Sequence, residues 1–228
     1  MHDQQRCGTD GAYRIAAILG FALLVTAAAA PLHAADDDEA PAGFTAISPI
    51  FGQLVAFTQP SGFVPAFEQP SATQYIREVV PKGETVENWT QMVTVTGYKG
   101  LAADPEASPE AFASAIVDGF KSTCPQTFAT AVLSKEQIDG HDAYAVVASC
   151  GSVGAEGDAH SETTLIVTIE GAQDYYTIQW AERTEAAAEP LDIDDGTWRD
   201  RFEQLSPIRL CPIVPGEKAP YPSCVAAD

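Results

Sequence analysis

The sequence predicts an α+β domain: a twisted antiparallel sheet flanked by helices. Three observations lead there. Short β-prone runs recur from Gln53 to Trp180, turn clusters separate them, and two later stretches carry the apolar spacing of amphipathic helices.

The N-terminus comes first and is expected to be removed. Arg6 and Arg14 precede an apolar run, Ile15 to Ala30, which Pro31-Leu32-His33-Ala34 breaks before the acidic Ala35-Asp36-Asp37-Asp38-Glu39. A basic start, a short apolar stretch and a small-residue junction form the export pattern, and a spanning helix needs about 20 apolar residues. Residues 1–34 therefore read as a cleaved signal peptide, with Ala30 and Ala35 as alternative junctions to Ala34. Cys7 precedes the apolar run, so it is not a lipid-bearing cysteine at a mature N-terminus. Removing residues 1–34 from 228 leaves 194, the size of one domain. Residues 35–46 read as a flexible acidic lead-in, 47–210 as the domain, and 211–228 as a Pro-rich tail.

Within the domain, Leu54–Phe57, Phe63–Phe67 and Tyr75–Val80 read as strands separated by Pro60-Ser61-Gly62 and Gln69-Pro70-Ser71. Proline lacks a ladder donor, so Pro65 assigns its strand to an edge. A single helical turn is expected over Val86–Trp89, then a strand over Met92–Thr96. Ser108 is a good helix N-cap, Pro109 suits the first helical position, and Glu110 complements the helix dipole. Phe112, Ile116 and Phe120 form one stripe of that helix, which ends near Ser122. Phe128–Gln137 and Ala143–Cys150 flank Asp139-Gly140, a favoured hairpin turn. The runs Thr163–Glu170 and Tyr175–Trp180 alternate with a period of two, the mark of strands with one buried face. A last helix is expected from about Thr197, with Trp198, Phe202 and Leu205 inward. The chain from Ser206 is irregular.

Cys124, Cys150, Cys211 and Cys224 remain after cleavage, an even number that suits two disulfides in an exported protein. In a two-residue hairpin Ile138 faces His141, and Cys150 falls opposite Ala129. Cys124 lies a few residues before Ala129, which favours Cys124–Cys150 and leaves Cys211–Cys224 to pin the tail. Each would stabilise by about 2–4 kcal/mol.

Charge limits the partners. The chain carries 12 Lys and Arg against 32 Asp and Glu, a net charge of −20. The expected leader holds two charges of each sign, so cleavage leaves that balance unchanged. Binding to nucleic acid or anionic lipid needs clustered cations, so neither is expected.

Motifs for chemistry are sparse. Nucleophile-elbow, zinc-protease, phosphate-loop and dinucleotide patterns are absent from the sequence. Gly151–Gly157 is glycine-rich but has no lysine, and reads as a loop. His160, Asp158 and Glu162 offer an imidazole and two carboxylates, a set suited to Zn²⁺ or Mn²⁺ though without diagnostic spacing. Asp192 and Asp194 imitate the start of a calcium loop, but Gly196 and Thr197 invert the required ligand and turn; helix capping explains them better. No cofactor is expected. Asn88 and Trp89 are the most distinctive pair. They could line a ligand pocket, or Trp89 could bury under the sheet while Asn88 closes a turn.

Pro60-Ser61-Gly62-Phe63, Glu87-Asn88-Trp89-Thr90, Asp174-Tyr175-Tyr176-Thr177-Ile178-Gln179 and Trp198 through Ser206 follow one another in an order that resembles the PsbP-like superfamily, including the periplasmic DcrB-like proteins. The resemblance covers about residues 50–210. It implies a sheet sandwiched by helices and a largely non-enzymatic accessory or binding role. The resulting expectation is a soluble exported protein, periplasmic or secreted, that presents a sheet face or Trp-lined groove to an envelope protein or small ligand. The competing expectation is a secreted hydrolase using carboxylates or a His160-centred metal.

Overall fold

The computed structural model describes residues 43–155 and 157–225. The expected leader and the first part of the lead-in lie outside the described residues. The fold is α+β. In chain order come β1 (Gly43–Ile50), β2 (Gln53–Pro60), β3 (Phe63–Pro70), β4 (Gln74–Pro81), β5 (Gln91–Tyr98) and α1 (Pro109–Thr123). Then follow β6 (Phe128–Ser134), β7 (Ala143–Val153), β8 (His160–Glu170), β9 (Tyr175–Glu185), α2 (Asp195–Leu205), β10 (Arg209–Pro212) and the short α3 (Pro222–Val225).

Seven strands form one antiparallel sheet in the order β3-β4-β5-β9-β8-β7-β6, and three form a second in the order β1-β2-β10. Strand alternation gives the large sheet two different faces. One carries Val93, Val95, Leu165, Val167, Ile169, Tyr176, Ile178 and Trp180, packed with Val55 and Phe57 of β2 and with Trp198 and Leu205 of α2. Burying each such aliphatic side chain contributes about 1.5–3 kcal/mol relative to exposing it. The other face carries Tyr144, Val146, Ala148 and Ile166, covered by Ala113, Ile116, Val117 and Phe120 of α1. The predicted helix stripe thus meets its sheet. The Ser108 hydroxyl accepts from the Ala111 N–H at 3.1 Å, the expected cap. Asp194 caps α2, accepting from the Thr197 N–H at 2.7 Å.

Strand β2, the middle of the small sheet, is buried on both sides. Leu54 and Ala56 point away from the main core and are covered by Cys211, Cys224 and Tyr221. The structure joins Cys124 to Cys150 and Cys211 to Cys224. The second bridge holds the tail against that outer face.

Several sequence expectations need correction. The lead-in was expected to run to residue 46, but β1 begins at Gly43 and pairs along its length with β2, Gly43 facing Pro60 and Ile50 facing Gln53. The tail is not irregular at its start, because Arg209–Pro212 pair with β2. Val86–Trp89 form no helical turn. Instead the Thr85 N–H donates to Asn88 O at 3.0 Å, and the Asn88 N–H donates to Thr85 Oγ1 at 3.2 Å. In the hairpin Ile138 does face His141, yet Cys150 faces Phe128, not Ala129. A bulge between Val132 and Ser134 inserts Leu133 and shifts the register by one. Pro65 does lie on an edge strand, β3.

A buried carboxylate locks the two sheets together. Asp174, 4% exposed, accepts from the Gly52 N–H at 3.1 Å in the β1–β2 turn. It also accepts from the Gly100 N–H at 2.7 Å after β5, and from the Tyr176 hydroxyl at 3.4 Å.

Candidate functional site

Helix α1 packs chiefly on β6, β7 and β8. It reaches toward β5 and β9 through Phe112, whose ring meets Tyr98 at 4.8 Å and Tyr175 at 5.8 Å, both edge to face. Beyond that contact the same sheet face opens into a groove of about 440 Å³ over β4, β5 and β9. Sheet alternation makes its floor. In-register rows place Glu78 beside Thr94, Thr94 beside Gln179, and Thr96 between Ile76 and Thr177. Phe120 of α1 forms one wall, and Trp89, Met92 and Val86 form one end.

The polar groups of this floor are unevenly satisfied. The Thr96 and Thr177 hydroxyls bond each other at 2.7 Å. The Gln179 amide donates to Thr177 Oγ1 at 3.2 Å. Thr164 lines the groove and is 2% exposed, but its hydroxyl has no hydrogen-bond partner in the protein. A buried hydroxyl without a partner costs about 1–3 kcal/mol. Glu78 is half-buried in the same groove, and burial pushes its carboxyl above the ordinary range.

Trp89 stands at the rim and is 7% exposed. It packs with Val80, Met92, Ala181 and Val86, and the Arg183 guanidinium lies over its ring, 3.7 Å from the centroid. Such stacking is worth about 0.5–2 kcal/mol. The face of the indole is thus occupied by the protein itself, and what Trp89 offers the groove is a rigid border. Asn88 is exposed and closes the preceding turn through its backbone, so the structure does not bring it into the groove.

His160, Asp158 and Glu162 do not assemble as three ligands. His160 is the first residue of β8 and not a loop residue. Its Nδ1 lies 3.1 Å from the backbone oxygen of Asp158, so that residue meets the imidazole through its main chain. Glu162 comes within 4.0 Å of His160 Nε2, but Arg183 Nε donates to the same carboxylate oxygen at 3.2 Å. A guanidinium on that oxygen opposes a metal cation there. Among the described residues no cluster of three or more His, Cys, Asp or Glu is placed to hold a metal ion. His160, Glu162 and Arg183 instead border a second cavity of about 480 Å³ beside Phe120 and Gly119, next to the groove.

Sequence reading singled out the tryptophan at the border and missed the floor. Glu78, Thr94, Gln179 and Thr164 each occupy the polar phase of an alternating strand, a pattern identical to that of a face turned to water. Their convergence appears only when the four strands β4, β5, β9 and β8 are set side by side with α1 over one end of the row.

The class defined by this arrangement is an α+β protein whose seven-stranded antiparallel sheet is covered on one side by a second sheet and helix, and half covered on the other. The two disulfides fit a chain that folds in an oxidising compartment. No helix among the described residues is long and apolar enough to cross a membrane. No protein-family model matches the chain, and no curated protein matches it. Among solved structures it is similar to the Ran-binding protein Mog1p of Saccharomyces cerevisiae, at 12% identity and a TM-score of 0.42, over 72% of this chain and 92% of that one. It is also similar to a protein of Bacteroides thetaiotaomicron, at 13% identity and a TM-score of 0.40, over 78% of this chain and 51% of that one. The chain thus spans about half the length of the second protein. Likenesses of this strength carry no argument about activity.

Proposed function

We propose that this chain is an exported accessory or binding protein of the cell envelope, released into the periplasm by cleavage behind Ala34, and that it holds its ligand on the uncovered part of the large sheet. The order of its elements supports the resemblance to the PsbP-like superfamily. One observation carries the binding role: the groove over β4, β5 and β9 has a polar floor, and Thr164 in its lining holds a buried hydroxyl without a partner. Binding pockets combine apolar walls with a few placed polar groups, and this one has both. Two disulfides suit an oxidising, extracytoplasmic setting.

The test is isolation of the processed protein from periplasm, followed by native mass spectrometry of wild type and of the groove-filling variant Thr94→Trp. The expected result is a processed N-terminus near Ala35 and a bound species that wild type retains and the folded variant loses. A bare wild-type chain, or a bound species indifferent to the filled groove, would refute binding at this face.

A further inference from the structure

The groove contains a carboxylate that the protein leaves without a counter-ion. Glu78 lies half-buried on the floor and makes no hydrogen bond or ion pair with any described residue. The one cation lining the groove among the described residues, Arg183, is bonded to Glu162 and stacked on Trp89. Partial burial without a partner disfavours the charged form of the Glu78 carboxylate, which raises its affinity for a proton and favours a cation placed beside it. Apart from the mutually paired Glu162 and Arg183, the rest of the floor is uncharged: Thr94, Thr96, Gln179 and Thr164 supply hydroxyls and an amide. Ile76, Met92, Tyr98 and Phe120 supply apolar surface.

The register fixes the span of these groups. Glu78 on β4 faces Thr94 on β5, which faces Gln179 on β9, which faces Ile166 on β8. Thr164 is the next residue on the same face of β8. Three strand spacings separate β4 from β8, so the carboxylate and the unpartnered hydroxyl stand about 14 Å apart or slightly more. An occupant meeting both is elongated, positive at one end and able to form hydrogen bonds at the other. A chain of net charge −20 favours the approach of cations over anions.

We propose that the groove takes a short amino-sugar oligosaccharide, with a free ammonium on Glu78, hydroxyls along Thr94 and Gln179, and its far end at the Thr164 hydroxyl. This deepens the binding role above and rests on it. The ammonium supplies the missing counter-charge, and the sugar hydroxyls match the uncharged floor. The apolar walls receive the C–H faces of the rings.

The test compares two probes with nearly the same hydroxyl-bearing skeleton, the β-1,4-linked glucosamine trimer and cellotriose, which lacks the amines. Calorimetric titration at neutral pH gives affinity, and amide and methyl NMR shifts give location. The expected result is binding of the glucosamine trimer about tenfold or more tighter than cellotriose, with shifts centred on Thr94, Thr164 and Gln179. Glu78→Gln is expected to erase that preference while leaving the fold intact by circular dichroism. Thr164→Val is expected to weaken both sugars several-fold. Equal affinity for the two probes at the groove, or a preference that survives Glu78→Gln, overturns the ammonium assignment while the groove stands as a binding site. Binding of neither sugar, or shifts elsewhere on the surface, overturns the amino-sugar class. The binding role itself is then decided by the periplasmic isolation with Thr94→Trp.

Discussion

Replacing Asp174 by alanine removes an acceptor that three parts of the fold share. Its carboxylate takes the Gly52 N–H at 3.1 Å, the Gly100 N–H at 2.7 Å and the Tyr176 hydroxyl at 3.4 Å. Tyr176 has a second acceptor in Ile50 O at 3.2 Å and keeps it in the variant. The uncompensated loss is therefore concentrated on the two backbone donors. Hydrogen bonds to a charged group are worth about 1.5–3 kcal/mol each, so the loss of two should cost about 3–6 kcal/mol. Against a typical stability of about 5–15 kcal/mol that is a large fraction. Asp174→Asn keeps one oxygen and should cost about half as much. Urea unfolding of the purified protein measures both variants, and a fall in midpoint at unchanged slope reports the native-state loss. A cost below about 1 kcal/mol for Asp174→Ala would show that water replaces the carboxylate without penalty, and the reasoning about a shared buried acceptor would be wrong.

Three further outcomes are expected. Removing the Cys124–Cys150 bridge, which spans 26 residues, should destabilise by about 3.5 kcal/mol, and removing Cys211–Cys224, which spans 13, by about 3 kcal/mol; paired serine variants in urea measure both. Burial and the hydrogen bond to Glu68 push the Tyr75 phenol up to about 12 from an ordinary 10. Its folded state holds the proton after the unfolded state has released it, so stability contributed by Tyr75 is complete below pH 10 and falls as the pH rises toward 12. Tyr75→Phe should therefore show a shallower alkaline loss in unfolding measured across that window. Gly97→Ala should cost about 1–3 kcal/mol, because a Cβ at Gly97 meets the Ile50 and Phe51 side chains where β5 passes the small sheet; thermal unfolding tests this, and an unchanged midpoint would count against close packing there.

The legible parts of the fold were those with strong local signals. Ser108, Pro109 and the Phe112–Phe120 stripe define α1, and the alternation in Thr163–Glu170 and Tyr175–Trp180 defines most of two central strands. Weak local signals hid the small sheet. β1 contains Gly43 and Pro49, and β10 is only Arg209–Pro212 with a terminal proline, so neither announces itself without β2 between them. The one-residue register error at Cys150 has a similar origin, because nothing in Val132-Leu133-Ser134 marks the bulge before the strands are paired. For the site, Trp89 was visible as an unusual residue, but its ring is occupied by Arg183 from β9, a partner 94 positions away in the chain. Thr164 looked like any outward threonine. Its isolation from water depends on α1 and on neighbouring strands, which local sequence does not encode.

Both ends of the large sheet are broken as templates. At one end β3 carries Pro65 and Pro70 and a bulge between Pro65 and Phe67. At the other, β6 carries the bulge between Val132 and Ser134. An incoming strand needs a straight row of donors and acceptors, and neither border offers one. The consequence is protection from self-templating: with both borders of the seven-stranded sheet interrupted, edge-to-edge pairing with a second copy is disfavoured there even though the groove between them stays open.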